Sequence, residues 1–166
     1  MEAILRSSGP QDLETHVAHR AAMFRDMDMG DEEGIRRMAG AFRERLRTWM
    51  ALGEAHGWIA ELGGRPVGGA LLFLKESLPV PHLPVNVRGY LANVYVEPPC
   101  RGQGLARRLA EAAIACSREH GLPVLELHAS LASEPLFQSL GFMPTSEYRL
   151  VLDPGVAVPR QWRDRR

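Results

Sequence analysis

Val94-Tyr95-Val96-Glu97-Pro98-Pro99-Cys100-Arg101-Gly102-Gln103-Gly104-Leu105-Ala106 is the stretch on which the fold turns. A run of β-favouring residues passes through a proline- and glycine-bearing turn into the first turn of an apolar-periodic helix. A helix N-terminus carries unsatisfied N–H groups and partial positive charge, so it attracts anions, phosphate above all. Gly102 and Gly104 permit unusual dihedrals and a close ligand approach, and small Ala106 keeps the first turn clear. Arg101 can add a charge-assisted contact to a phosphate oxygen. The glycine pair alone is equally explained by a tight strand-to-helix turn. Two nucleotide-binding patterns fit less well. A P-loop requires Gly-Lys, and the sequence contains none. A dinucleotide fingerprint wants Gly or Ala where Arg107 stands, with an acidic residue near Glu126 and more strands downstream than this chain has left.

Working outward, Tyr90–Val96 is a strand, and the helix after Gly104 runs to His120, burying Leu105, Leu109, Ala112 and Cys116. Gly121 caps it and Pro123 stops it. Val124–Ala129 reads as the next strand. Ser133-Glu134-Pro135 opens a short helix ending at Leu140-Gly141, and Tyr148–Leu152 closes the sheet. Toward the N-terminus, Trp58–Leu62 and Val67–Lys75 flank the turn residues Gly63-Gly64-Arg65-Pro66 as a hairpin, and Ser77–Gly89 is a proline-broken loop. A helix from about Asp12 to Met27 precedes one whose apolar face holds Ile35, Met38, Ala39, Phe42, Leu46, Trp49 and Met50. Ala3–Arg6 is an opening strand. The order predicts an α/β domain over 1–153 with a mixed, mostly antiparallel central sheet and flanking helices. Residues 154–166 form a tail that Trp162 can tack down.

The chain has 166 residues, enough for one domain, and 45% hydrophobic residues supply a core without staples. Twenty basic residues balance 20 acidic ones, which argues against nucleic-acid or membrane-surface partners. Cys100 and Cys116 show no CxxC or Cys/His ligand spacing, so no disulfide framework and no metal are expected. With no signal-like N-terminus and no long apolar run, the expected location is cytoplasmic.

Arg101-x-x-Gly104-x-Ala106 resembles the Arg/Gln-x-x-Gly-x-Gly/Ala signature of the GNAT superfamily of acyl-CoA-dependent N-acetyltransferases. Val94–Pro98 is similar to the strand ending that precedes it there, and Leu136–Phe142 to a late motif. The order of elements fits from Ile4 to Leu152. The resemblance implies a sheet splayed between two parallel strands, ending at Val96 and beginning at Val124, with acetyl-CoA as co-substrate in the gap. It implies pantetheine along Val94, Tyr95 and Val96, and pyrophosphate on Arg101, Gly102, Gln103, Gly104, Leu105 and Ala106. A backbone N–H of the bulged strand would polarise the thioester carbonyl. A small-molecule or peptide amine would attack directly in a ternary complex, and a homodimer is compatible with this reading.

An amine arrives mostly protonated, so a base must reach it directly or through one water. Tyr90, Asn93, Glu97 and His128 are the candidates. Glu97 is the most able carboxylate, His128 titrates in the right range, and Tyr90 or Asn93 would orient water or substrate. Each has a plain structural alternative: a solvated loop carboxylate for Glu97, a satisfied structural histidine for His128. Many relatives use a late-motif tyrosine as leaving-group acid, and here Phe137 stands in its place. Phe137 can still pack against the thioester end of CoA. That departure sustains a second reading, a CoA-binding sensor or interaction module without catalysis.

Overall fold

The computed structural model describes residues 2–153 and 155–156. Its packing divides into two units, residues 1–127 and 128–166, each described by itself.

The first unit is a five-stranded sheet in sequential order: β1 (Ile4–Ser7), β2 (Ala55–Leu62), β3 (Arg65–Glu76), β4 (Val87–Val96) and β5 (Leu125–Leu127). The first three junctions are antiparallel and β4–β5 is parallel, so the sheet is mixed and mostly antiparallel, as expected. Helix α1 (Leu13–Asp26) and helix α2 (Glu32–Ala51) precede β2, and α3 (Leu105–Glu119) joins β4 to β5. Strand alternation sorts the two faces. Leu71 and Phe73 point to one side, where Leu46 completes a core closed by Phe42, Trp49 and Met50 of α2. The Trp49 and Phe73 rings lie 4.6 Å apart. Leu72 points to the other side, toward Leu122 just beyond α3.

The sequence boundaries shift where pairing overrides local composition. β2 starts three residues before Trp58 and passes through Gly57, which pairs with Leu71. β4 starts at Val87 because Glu76–Val87 and Lys75–Arg88 extend the hairpin ladder, so the irregular loop is shorter than expected. On α3 the buried set is Leu105, Leu109, Ala110, Ala113 and Ser117, whereas Ala112 and Cys116 are only partly covered. β5 is shorter than the expected Val124–Ala129, and His128 falls beyond it.

In the second unit α4 (Glu134–Ser139) forms as expected, with Ser133 at its N-cap. The expected closing strand does not form. Residues 143–153 are irregular, and Tyr148, Leu150 and Leu152 are each more than four-fifths exposed. Alternation alone supplies no ladder partner. Trp162 lies outside the described residues. Among the described residues, no helix is long and apolar enough to cross a membrane.

Candidate active site

The decisive irregularity is in β4. Gly69 pairs with Tyr95 and Leu71 with Ala92, so Asn93 and Val94 together oppose the single residue Ala70. That is a β-bulge, which bends its strand and takes one residue's backbone out of the ladder. Asn93 sits at φ +57°, a region that asparagine tolerates better than most side chains. It is 3% exposed. Its Nδ2 donates to the His16 carbonyl at 3.1 Å, while its Oδ1 is buried without a hydrogen-bond partner. Across the bulge, a Cβ at position 68 would lie 2.7 Å from the Tyr95 carbonyl oxygen. Gly68 therefore lets β3 follow the bent strand.

The bulge also opens the sheet. β5 pairs with Gly89, Tyr90 and Leu91 and stops there. Among the described residues, Ala92–Val96 has no strand on that edge. The chain then turns through Pro98–Cys100 into α3. Gly102 and Gly104 both adopt φ +76°, which strains any side-chain-bearing residue. No side chain caps α3 and its first turn holds no acidic residue, so its leading amides and positive dipole end face outward uncompensated.

Arg101 is committed to the end of β4. Its Nε donates to the Val96 carbonyl at 2.8 Å, it pairs with Asp26 at the end of α1, and its guanidinium lies 5.7 Å from the Tyr95 ring centre. Leu105 is buried and Ala106 half-buried, whereas Gly102, Gln103 and Gly104 are exposed. Glu97 Oε2 accepts from Arg65 Nη1 at 2.6 Å. Tyr90 is half-buried against the Leu46–Leu71–Phe73 core, with Lys75 Nζ 5.5 Å from its ring.

Two residues that the sequence reading passed over stand behind this strand. His16 and His19 are both buried on α1. The His19 ring lies 5.3 Å from Tyr95. Burial pushes its pKa down, against an upward pull from Glu97. His16 Nε2 and Ser8 Oγ share a hydrogen bond of 2.9 Å, and burial holds the His16 pKa down at about 4. Both Nδ1 atoms are buried without a partner. The readable signal was position, since both flank the apolar stripe of Leu13, Val17 and Ala21.

The first unit thus gathers Tyr90, Asn93, Val94–Val96, Glu97 and Arg101–Ala106 onto one strand and the turn after it. His128 and Phe137 belong to the second unit. His128 is in the loop after β5 rather than inside a strand, and its Nε2 is 3.3 Å from Glu147 Oε1. Phe137 is buried in α4, edge-on to Phe142 at 5.7 Å between ring centres.

A sequence profile of the Acetyltransferase (GNAT) family matches residues 22–142. The chain belongs to the GNAT acetyltransferase family. The GNAT profile spans β4, its bulge and the glycine turn, the parts that the structure shows to be irregular. A GCN5-related N-acetyltransferase from Ralstonia eutropha JMP134 is 34% identical, with a TM-score of 0.85 over 91% of this chain and 99% of that one. A predicted acetyltransferase with acetyl-CoA from Clostridium acetobutylicum is 21% identical and shares the GNAT fold at a TM-score of 0.82, over 90% and 96% of the two chains. A glucosamine-6-phosphate N-acetyltransferase from Arabidopsis thaliana, 13% identical, shares it at 0.68 over 92% and 100%. No curated protein sequence matches the chain.

Proposed function

We propose that this protein transfers the acetyl group of acetyl-CoA to a small-molecule or peptide amine by direct attack in a ternary complex. The carrying observation is the Asn93–Val94 bulge beside the strand-free edge Ala92–Val96. An extended pantetheine arm matches such an edge because it can pair as an added strand does. The residues fit the rest of the molecule as well. A Cβ built on Gly102 or Gly104 meets nothing within 4 Å, and the uncapped start of α3 offers amides to a pyrophosphate.

Acetyl-CoA supplies an activated thioester; the protein supplies placement and polarity. Val94, Tyr95 and Val96 hold the arm, Gln103–Ala106 hold the pyrophosphate, and an N–H of the bulge donates to the thioester oxygen. Arg101 keeps the turn fastened to the end of β4, where it adds positive charge. Glu97 and His128 are the candidate bases for the acceptor's proton, and Tyr90 and Asn93, which do not take it, orient water or substrate. Arg65 donates to the Glu97 carboxylate, so an incoming amine shares that group with a guanidinium. Phe137 has no phenol to donate, and the thiolate leaves without one. A thiol leaving group of pKa about 8.5 tolerates that.

The test is thiol release from acetyl-CoA over a panel of amines, with mass detection of acetylated product. Amine-dependent release supports the proposal. Saturable acetyl-CoA binding with no release across the panel would make the protein a CoA-binding module instead.

A further inference from the structure

On the sheet face opposite α1 and α2, β2 and the last turn of α3 bring together three groups that the acyl-transfer reading does not use. Cys116 and His120 are four residues apart on α3 and its C-cap, which stacks them on one helix face. His56 arrives from β2. One ligand atom from each, the Cys116 sulfur and a ring nitrogen of each histidine, lies within 4.8 Å of the other two. The imidazoles of His56 and His120 are 4.5 Å apart between centres, and Cys116 Sγ is 3.5 Å from His120 Nδ1.

We propose that His56, Cys116 and His120 bind a transition-metal ion of the zinc class, with a fourth position open to water or an exogenous ligand. Four features carry this. Two imidazoles and a thiol are the donor set that borderline-soft ions select over calcium or magnesium. His56 Nε2 is buried without a hydrogen-bond partner, the state of a nitrogen whose partner is an ion. His120 Nδ1 is 2.8 Å from the Cys116 carbonyl oxygen, a backbone contact of the kind that fixes a ligating ring. His56 and Cys116 line an open groove with Ser8, Trp58 and Glu119, and His120 is exposed at the helix end beside them, so an ion has an entry path. Tetrahedral zinc places such donors roughly 3.3–3.7 Å apart, so closure requires side-chain rotations of about an ångström. The sequence predicts no metal because Cys100 and Cys116 show no CxxC or Cys/His ligand spacing of the usual kinds; the helical Cys116-x-x-x-His120 step becomes a ligand pair only with His56, sixty residues upstream of Cys116.

The test uses the full chain without a histidine tag, stripped of metal under a non-chelating reductant and titrated with Co2+. The expected result is one equivalent bound, with a thiolate-to-cobalt charge-transfer band displaced by one equivalent of Zn2+. Cys116→Ser should abolish the band, and His120→Ala, at an exposed helix end, should weaken Zn2+ binding at least tenfold. Cys100→Ser should retain the band. Absence of saturable one-to-one binding, a band that survives Cys116→Ser, or equal Zn2+ affinity in the wild type and His120→Ala would each overturn the site.

Discussion

Asn93 Nδ2 donates to the main-chain oxygen of His16 at 3.1 Å, tying the bulge of β4 to the first helix. The bond joins the one strained residue of the strand to an element 77 positions away, so the bulge is held by tertiary structure and not by local preference. Asn93→Ala removes both the tie and a residue tolerant of positive φ, at a cost of about 1–3 kcal/mol. Asn93→Gly loses the tie but recovers the backbone freedom. Melting temperatures should therefore fall in the order wild type, Gly variant, Ala variant. An Ala variant as stable as wild type would show that the bulge does not depend on this side chain.

Gly104 joins the same strand to α3 at φ +76°. Space is open around it, so the stability cost of Gly104→Val is backbone strain of roughly 1–2 kcal/mol, and the domain should stay folded. Acetyl-CoA affinity should drop about tenfold or more, the loss expected when charge-assisted contacts to the pyrophosphate are disturbed. Calorimetry on the folded variant checks this, and unchanged affinity would remove the pyrophosphate from the turn.

The buried histidines set an acid-side stability limit. The His16 pKa falls from 6.5 to about 4 on folding, so the unfolded chain binds the proton first. Its contribution is fully present above about pH 6.5, is lost between about pH 6.5 and 4, and changes no further below that. The loss is roughly 3 kcal/mol at most, and His19 shifts in the same direction. Asp12, lowered by its bond to Arg6, acts in a separate window, below its ordinary value of 3.8. Thermal melts at pH about 7.5 and about 5 should differ less in His16→Gln than in wild type. Equal differences would mean that His16 does not carry the effect.

Much of this was legible in short-range pattern. The period of α2, the capping glycine after α3 and the strand-to-helix glycine turn are local signals, and each element formed where its signal stood. What was missed depends on partners distant in sequence. The bulge needs Ala70 opposite Asn93 and Val94, which no reading of β4 alone supplies. Beyond their position beside the apolar stripe, nothing local to α1 marks His16 and His19, whose place behind the site depends on Asn93 and Tyr95 of a distant strand. Tyr148–Leu152 shows the reverse, an alternating run that joins no strand ladder among the described residues.

Phe137 separates packing from chemistry. Its ring is buried against Phe142, so Phe137→Ala should cost about 3 kcal/mol or more through the cavity it leaves. If the ring also meets the thioester end of CoA, the folded variant binds acetyl-CoA more weakly; a stability loss with intact affinity would confine Phe137 to the core. With phenylalanine there, the rate should rise with pH as the amine deprotonates, without an alkaline decline from a phenol at this position.

In the proposed complex acetyl-CoA lies along the strand-free edge of β4 with its pyrophosphate on the start of α3. Backbone amide shifts during an acetyl-CoA titration test this placement most directly. The largest perturbations should fall at Val94–Val96 and Gln103–Ala106, saturating together at a single affinity. Saturable binding that leaves both segments unperturbed would contradict it.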